Sequence, residues 1–179
     1  MLASYNELCS FVDLGVISPV SYDDVNGTSI DVHLGNVIKK ECYSENGPNV
    51  VSLRDKQNVN WRTVDITDSF YLLGPGEFIL AHTVEIFNLP DYVSAEFKLN
   101  SSGARIGLDN ALATWCDPRW NGSSLTLELR NNTRHHTIRL DHRCRIGQMV
   151  FHLSESVPEE KSYAVRGRYN GDKFAQAVK

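Results

Sequence analysis

The segment from Lys98 to Leu108 carries the densest candidate chemistry in the chain. It follows a predicted β-strand and contains two serines, two glycines and one arginine. Glycines let backbone N–H groups approach an anion, hydroxyls add donors, and an arginine offers two parallel N–H donors. This combination suits a phosphate group or the edge of a nucleobase. The alternative interpretation is a Ser/Gly turn with a solvated Arg105.

Residues 113–122 place two tryptophans beside a carboxylate. Trp115 and Trp120 flank Asp117, and a proline and a glycine mark a turn in the same segment. Two indole rings next to an acidic side chain could cover a ligand as an aromatic lid. The alternative is the corner of a β-hairpin in which Trp120 is buried for packing alone.

Glu128 is the candidate general base. It lies in the sequence LTLEL at residues 125–129, where alternation puts the three leucines on one face of a strand and Thr126 and Glu128 on the other. If the leucines face the core, Glu128 is either solvated or held in a partly closed cleft. A carboxylate in such a cleft has a raised pKa and can transfer protons as a general acid and base.

Three common kinds of catalytic site have little support in this sequence. The His-x-Glu and Pro-Cys-x-x-Cys patterns of zinc deaminases, the Gly-x-Ser-x-Gly nucleophile elbow and the P-loop are all missing. His135 and His136 are adjacent, so on a strand they would point to opposite faces, and adding His142 makes no convincing metal site. The four cysteines form no CxxC pair. The sequence therefore predicts chemistry without zinc.

Short β-strands are the elements that must position these residues. Alternating or apolar runs predict strands at residues 29–35, 70–73, 78–87, 93–99, 125–129, 136–140 and 148–153. Turn residues separate these runs at intervals typical of a sandwich or barrel. Residues 46–49 form a predicted turn and residues 50–65 a predicted loop. The predicted fold class is mostly β, a jelly-roll-like barrel or sandwich.

One short helix is predicted at the start of the chain. Ser4 can cap it, and Glu7 follows three residues later, as a capping box requires. Leu8 and Phe11 belong to its apolar face, and Gly15 ends it.

The composition indicates one globular domain. Of 179 residues, 41% are hydrophobic and 22% are charged, which is ordinary for a folded protein. The net charge of −4 excludes a protein that coats nucleic acid non-specifically, because such proteins are basic. No apolar run approaches the roughly 20 residues of a membrane span. The first residues show no signal-peptide pattern, so we expect a cytoplasmic protein with reduced cysteines.

The last segment, residues 156–179, differs in character from the domain predicted at residues 1–155. It is polar, and its basic side chains include Arg166, Arg168, Lys173 and Lys179. In an acidic protein, such a terminus could act as a mobile clamp on a phosphate group. The alternative interpretation is a frayed terminus.

Six segments, taken in order, resemble the motifs of the non-zinc dCTP deaminase family. They are residues 26–35, 70–81, 101–108, 117–129, 145–148 and 167–171. The sequence SSGARIGL is similar to the family's Ser-Ser-x-Ala-Arg-x-Gly signature, and LTLEL resembles the strand with the family's catalytic glutamate. Each segment alone is a weak signal, but six in order with near-family spacing cover most of the chain.

The resemblance implies a distorted jelly-roll β-barrel of the dUTPase type, assembled as a homotrimer with three active sites between subunits. The substrate would be a deoxycytidine nucleotide, most simply dCTP converted to dUTP and ammonia, with Mg²⁺ bound through the phosphates and no zinc. Glu128 would take a proton from water and pass it to N3 and then to the leaving amine. Ser101, Arg105 and the backbone carbonyl of Ala113 would position the water and the tetrahedral intermediate. Arg105 would also keep Glu128 ionised.

The resemblance also implies a set of substrate-binding residues around that centre: Ser102, Ala104, Asp117, Trp120, Gln148, Arg168 and Tyr169. Among them, Asp117 would hold the 3′-hydroxyl region of the deoxyribose. The tail, with Arg168 and Tyr169, would close over the phosphates.

Three departures from the family pattern leave the substrate open. Asn100 stands where an arginine is usual, the basic residue usual near Trp115 is missing, and Asp172 stands where a neutral amide is common. The first two departures remove a cation near a triphosphate, and the third adds an anion. The alternative substrate is therefore dCMP or a modified cytosine nucleotide.

Two other functions stay open from the sequence. One is a dUTP diphosphatase, or a bifunctional enzyme that forms dUMP, with Asp117 activating water at the α-phosphate. The other is a non-catalytic nucleotide-binding regulator. The intact set of Ser101, Arg105 and Glu128 argues against a regulator, because a sensor needs no general base. A compact, divergent member of the family would suit a phage genome.

Overall fold

The computed structural model describes residues 1–43, 45, 50–54 and 59–178. The turn predicted at residues 46–49, part of the loop predicted at 50–65, and Lys179 lie outside the described residues. The helices are α1 (Tyr5–Asp13), α2 (Ser101–Arg105) and α3 (Tyr163–Arg166). Within the described ranges, none of the helices is long and apolar enough to cross a membrane.

Most of the regular structure is antiparallel β-sheet. The strands are β1 (Ile17–Ser18), β2 (Ile30–His33), β3 (Val37–Glu41), β4 (Trp61–Asp65), β5 (Phe70–Leu73), β6 (Phe78–Asn88), β7 (Val93–Leu99), β8 (Leu108–Asn110), β9 (Trp115–Cys116), β10 (Asn121–Asn131), β11 (Ile138–Asp141) and β12 (Arg145–Leu153). One sheet has the order β4-β3-β6-β10-β8, with β1 also paired to β6, and a second has the order β2-β12-β7-β9. β5 pairs with β11. Apolar side chains from all three sheets form one core, so the predicted mostly β fold is confirmed.

The predicted N-terminal helix is confirmed together with its cap. The backbone N–H of Ser4 donates to the carboxylate of Glu7 at 2.6 Å, which is the reciprocal half of a capping box. Leu8 and Phe11 are buried on the inner face of α1, and the ring of Phe11 packs on Phe151 with 5.5 Å between centroids. The chain leaves the helix through Gly15, whose φ of 68° is easily adopted only without a side chain.

The longest strand pair, β6 with β10, carries the candidate base. Leu127 and Leu129 are fully buried, whereas Thr126 and Glu128 are only partly buried on the other face. Glu128 lies opposite Leu80 of β6 in the ladder. The alternation predicted for residues 125–129 is therefore confirmed. Towards the start of β10 the register shifts twice, between residues 121 and 123 and again between 124 and 126, which is typical of β-bulges.

Two elements differ from the sequence predictions. Part of the Ser/Gly segment forms helix α2 rather than a turn, because the side chain of Asn100 caps it by accepting the N–H of Gly103 at 2.9 Å. The end of the predicted 50–65 loop forms strand β4, which pairs with β3 in register from Trp61 opposite Glu41 to Asp65 opposite Val37. The prediction of an irregular loop was wrong for these five residues, because partner strand β3 supplies the ladder that their polar sequence does not indicate.

Candidate active site

A cavity of about 530 Å³ lies on the outer face of β6 and β10. β6 contributes Phe78 and Leu80 to its lining, and β10 contributes Ser124, Leu125, Thr126 and Glu128. The volume lies within the range of small-molecule binding sites. The same alternation that buries the leucines of β10 therefore presents its polar side chains to the cavity.

The backbone of Glu128 is held from one side by the segment that follows β8. Its N–H donates to the side-chain oxygen of Asn110 at 2.9 Å, and its carbonyl accepts the N–H of Ala111 at 3.0 Å. The carboxyl group is half-buried, and this burial raises the pKa of Glu128 above its ordinary value. A carboxyl with a raised pKa, carried on a strand whose backbone is held in place, can exchange protons with a bound ligand.

Aromatic side chains form the walls of the cavity. Trp61 of β4 and Phe78 of β6 meet with 6.2 Å between their ring centroids. Trp115 is 54% exposed at another wall. Trp120 is buried, stacks on Phe87 at 5.4 Å, and still lines the cavity. Trp120 is therefore buried by packing and also lines the cavity, while its role in a lid over a ligand stays a prediction.

The C-terminal tail covers the cavity along β10. The backbone N–H of Ser124 donates to the carbonyl of Asp172 at 2.8 Å, and the N–H of Gln176 donates to the hydroxyl of Thr126 at 3.2 Å. The indole N–H of Trp120 donates to the carbonyl of Tyr169 at 3.1 Å. The described part of the tail is thus anchored on the strand that carries Glu128, and the interpretation as a frayed terminus was wrong.

The described lining of the cavity is acidic. Glu128 and Asp172 contribute carboxyl groups, and no lysine or arginine is found among the lining residues that the structure describes. In the same described part of the chain, no group of three or more His, Cys, Asp or Glu side chains could hold a metal ion. A highly charged anion would therefore find no lysine or arginine among the described lining residues of one chain.

Four of the residues predicted from the sequence meet in this cavity: Ala113, Trp120, Glu128 and Tyr169. Asp117 is exposed just beside it, where its carboxylate accepts the indole N–H of Trp115 at 3.0 Å. Gln148 lies on β12, in the other large sheet, and its side chain accepts the hydroxyl of Ser29 at 2.8 Å. Arg168 is exposed in the tail.

The other predicted residues, Ser101, Ser102, Ala104 and Arg105, lie on the exposed surface of α2 and do not line the cavity. In the described residues, no ion pair joins Arg105 to Glu128, and the pKa of Glu128 is raised by burial rather than lowered by a neighbouring cation. The expected support of Glu128 by Arg105 is therefore not present within one chain.

Several lining residues were missed by the sequence interpretation. Trp61 lies in the segment that was interpreted as a loop, so its place in a strand beside Phe78 had no signal. Ser124 had a signal: counting back from Glu128 in steps of two reaches Thr126 and then Ser124. Gln176 of the tail is brought to the site only by tertiary packing.

Comparison with known proteins gives a consistent result. The family model described as dCTP deaminase-like matches residues 5–154. A "dCTP deaminase, dUMP-forming" of Nanoarchaeum equitans is 31% identical over 193 aligned residues, covering 98% of this chain and 95% of that protein. A protein of the same description from Aquifex aeolicus is 34% identical over 176 residues, covering 97% and 91%.

A solved structure also shares the fold. The 2′-deoxycytidine 5′-triphosphate deaminase of Agrobacterium tumefaciens superposes with a TM-score of 0.67 at 18% identity, over 85% of this chain. The matched region is 48% of that protein, so this chain spans about half of its length. A phage origin stays a prediction that these similarities do not support.

Proposed function

The chain belongs to the dCTP deaminase-like family, and from that premise we propose that it deaminates dCTP and releases dUMP. The relatives that it matches over nearly their whole length are described as dUMP-forming. The simplest expectation from the sequence, a deaminase that releases dUTP, is therefore replaced by the bifunctional alternative. dCTP and two water molecules give dUMP, ammonia and pyrophosphate.

The observation that carries the proposal is the half-buried Glu128 carboxyl in the lining of the cavity. In the first reaction, ionised Glu128 removes a proton from water, and the resulting hydroxide adds to C4 of cytosine. The proton passes from Glu128 to N3, and the proton of the new hydroxyl then passes through Glu128 to the amine. The C4–N4 bond breaks and ammonia leaves. No zinc ion is needed in this scheme, because the carboxylate makes the nucleophile.

The second reaction is hydrolysis of the dUTP formed, and Asp117 is its proposed base. Its carboxylate lies beside Trp115, which lines the cavity, so it can reach a nucleotide that extends past the cavity edge. Water activated by Asp117 attacks the α-phosphorus and the bond to the β-phosphate oxygen breaks. The same side chain would hold the 3′-hydroxyl region of the deoxyribose, as the family resemblance implies.

The site needs a second copy of the chain to be complete. Ser101 and Arg105 are exposed on α2, and two apolar side chains close to them in sequence are also exposed, Ile106 at 59% and Leu112 at 96%. We propose a homotrimer in which this surface packs against the next copy. Ser101 and Arg105 would then reach the cavity of that neighbour, with Ser102 and Ala104 supporting the nucleotide.

The phosphates would be bound outside the acidic cavity. Mg²⁺ would arrive as part of the substrate, held by phosphate oxygens, which are the ligands that this hard cation prefers. The proposed protein contacts to the sugar and phosphates are Trp120, Gln148, Arg168 and Tyr169. The guanidinium of Arg105 from the neighbouring copy would supply the positive charge that the cavity of one chain lacks.

The acidic lining favours a second candidate substrate, dCMP. Glu128 and Asp172 both line the cavity, and like charges repel, so two acidic residues in the lining disfavour each additional phosphate. If the site has lost contacts to the outer phosphates, dCMP deamination to dUMP is the reaction that remains.

A product assay tests both candidates. Protein with Mg²⁺ is given dCTP, dCMP or dUTP, and the products are separated by anion exchange while ammonia is measured. We expect dUMP, ammonia and pyrophosphate from dCTP, and dUMP with pyrophosphate from dUTP. Accumulation of dUTP would contradict the second reaction, and turnover of dCMP alone would favour the second candidate. No turnover at all would favour a nucleotide-binding regulator.

The matched variant is Glu128→Gln, which keeps the size of the side chain but cannot accept a proton. We expect it to bind dCTP with an affinity within about threefold of the unsubstituted protein, since its hydrogen-bonding shape is retained. Ammonia release should fall by at least about 10³-fold. Persistent deamination by this variant would show that Glu128 is not the base.

A further inference from the structure

The hydroxyl of Ser124 is a buried polar group that the described part of the chain leaves without a partner. Ser124 is 3% exposed, and its Oγ has no hydrogen-bond partner among the residues that the structure describes. Its backbone N–H, in contrast, donates a hydrogen bond to the carbonyl of Asp172. Buried hydroxyls in folded proteins are almost always hydrogen-bonded, so an exception on the wall of a ligand cavity points to a ligand.

The neighbouring residue shows that the tail does not need this hydroxyl. The Oγ of Ser123 lies 2.8 Å from the carbonyl of Tyr169 and 3.1 Å from that of Asn121, and it accepts the N–H of Asp172 at 3.3 Å. The two register shifts of β10 flank this pair of serines. The hydroxyl of Ser123 therefore anchors the tail, while Ser124 lines the cavity.

We propose that Ser124 is a further substrate-binding residue, whose hydroxyl hydrogen-bonds an oxygen atom of the deoxyribose. This assignment rests on the proposed function and extends it to a residue to which the family resemblance gave no role. Ser124 lies four residues before Glu128 on the same strand, about 13 Å away at the usual rise per residue. If the cytosine ring contacts Glu128, Ser124 contacts the part of the nucleotide that lies beyond that ring.

The surroundings of Ser124 favour the sugar over a phosphate. Trp120 and Tyr169 line the same cavity and offer apolar faces to a sugar ring. Asp172 lies next to Ser124, since its carbonyl accepts the backbone N–H of Ser124. The described lining has no lysine or arginine to hold a phosphate there. A neutral hydroxyl suits a neutral oxygen at this position.

Three variants test the assignment. Ser124→Ala removes the hydroxyl, Ser124→Thr keeps it, and Ser123→Ala removes the hydroxyl that the tail uses. Binding is measured by NMR titration with deoxycytidine, which has the sugar but no phosphate, and by calorimetry with dCTP. Melting temperatures are measured for the same variants.

We expect Ser124→Ala to bind both ligands about fivefold to tenfold more weakly, as the loss of one neutral hydrogen bond predicts. Its melting temperature should not fall, because the hydroxyl has no partner in the folded chain. Ser124→Thr should bind within about threefold of the unsubstituted protein. Ser123→Ala should instead melt at a lower temperature, since it loses internal hydrogen bonds.

Other results would overturn the assignment. Weaker binding of dCTP alone would place the hydroxyl on a phosphate, and unchanged binding of both ligands would show that it contacts neither. A fall in the melting temperature of Ser124→Ala that matches Ser123→Ala would show a structural role. Failure of the proposed function can be distinguished from failure of this assignment. The first appears as absent turnover by the unsubstituted protein, whereas the second is measured by ligand binding, which does not require turnover.

Discussion

At the scale of single residues, the proposed role of Glu128 sets two opposed demands. A general base works only when it is ionised, yet the partial burial of Glu128 raises its pKa and favours the protonated form. A folded-state pKa above that of the unfolded chain also means that stability falls as pH rises between the two values, because only the folded form then holds the proton. Ionising Glu128 in the folded protein therefore lowers the free energy of unfolding.

This conflict predicts the acid side of the pH–rate profile. Because the pKa of Glu128 is raised, the protonated and inactive form persists to a higher pH than for an exposed glutamate. We expect kcat/KM for deamination to fall tenfold per pH unit below that raised pKa. Ammonia release measured from pH 4 to pH 9 checks this. A rate that stays constant down to the ordinary pKa of a glutamate would contradict it.

Beyond the cavity, Glu85 is a buried carboxyl that joins two strands of different sheets. Its side chain is on β6 and is 2% exposed. It accepts the backbone N–H of His33 on β2 at 3.0 Å and lies 2.9 Å from the ring nitrogen of the same residue. Burial raises the pKa of Glu85, and the contacts with His33 oppose that change. His33 thus satisfies a group that would be costly to bury alone.

His33→Ala is therefore expected to destabilise the protein by about 1–3 kcal/mol, the usual cost of leaving a buried polar group with too few partners. Urea unfolding measures the change. The matched control is His135→Ala, at an exposed position, which should change stability by less than about 0.5 kcal/mol. Equal effects of the two substitutions would show that the His33–Glu85 contact contributes nothing specific.

At the scale of elements, the tail lines the cavity and is tied to β10 by hydrogen bonds. These bonds involve residues 169–176, and Ala175 is the tail's fully buried apolar residue among those described. Deleting residues 167–179 should therefore leave the β-sheet circular dichroism unchanged and lower the melting temperature only modestly.

The same deletion should reduce kcat/KM for dCTP by about 100-fold, because it opens the cavity around Glu128 to water. Circular dichroism, thermal melting and the ammonia assay on one preparation separate the two effects. A truncated protein with activity within threefold of the full chain would show that the tail does not close the site.

The elements that local sequence determines were predictable, and those set by tertiary contacts were not. The cap at Ser4 and Glu7 and the alternation around Glu128 depend on neighbouring residues, and both were predicted correctly. Strand β4 depends on its ladder with β3, which polar residues such as Arg62 and Thr63 do not indicate. The unpartnered hydroxyl of Ser124 depends on two bulges and on the path of the tail, so no pattern of residue types could reveal it.

At the scale of the whole molecule, the proposed catalytic residues lie on two separate surfaces. One surface is the cavity with Glu128, and the other is the exposed helix α2 with Ser101 and Arg105. The family resemblance assigns Ser101, Arg105 and Glu128 to one active site, but these side chains do not come together in a single chain. A cyclic oligomer resolves this, because each copy can offer its helix to the cavity of the next.

Subunit complementation tests that arrangement. Glu128→Gln and Arg105→Ala should each lower deamination by at least about 100-fold as pure proteins. When the two are co-expressed in equal amounts, some sites combine the intact Glu128 of one copy with the intact Arg105 of another. Random mixing should then restore about a quarter of the normal activity.

The control is co-expression of Glu128→Gln with the double variant that carries both substitutions, which contains no intact Glu128 and should stay inactive. Size-exclusion chromatography with light scattering measures the mass of each assembly. If each site were built within one chain, the mixture of single variants would be as inactive as its components, since no chain holds both side chains. Recovered activity therefore requires that neighbouring copies share each active site.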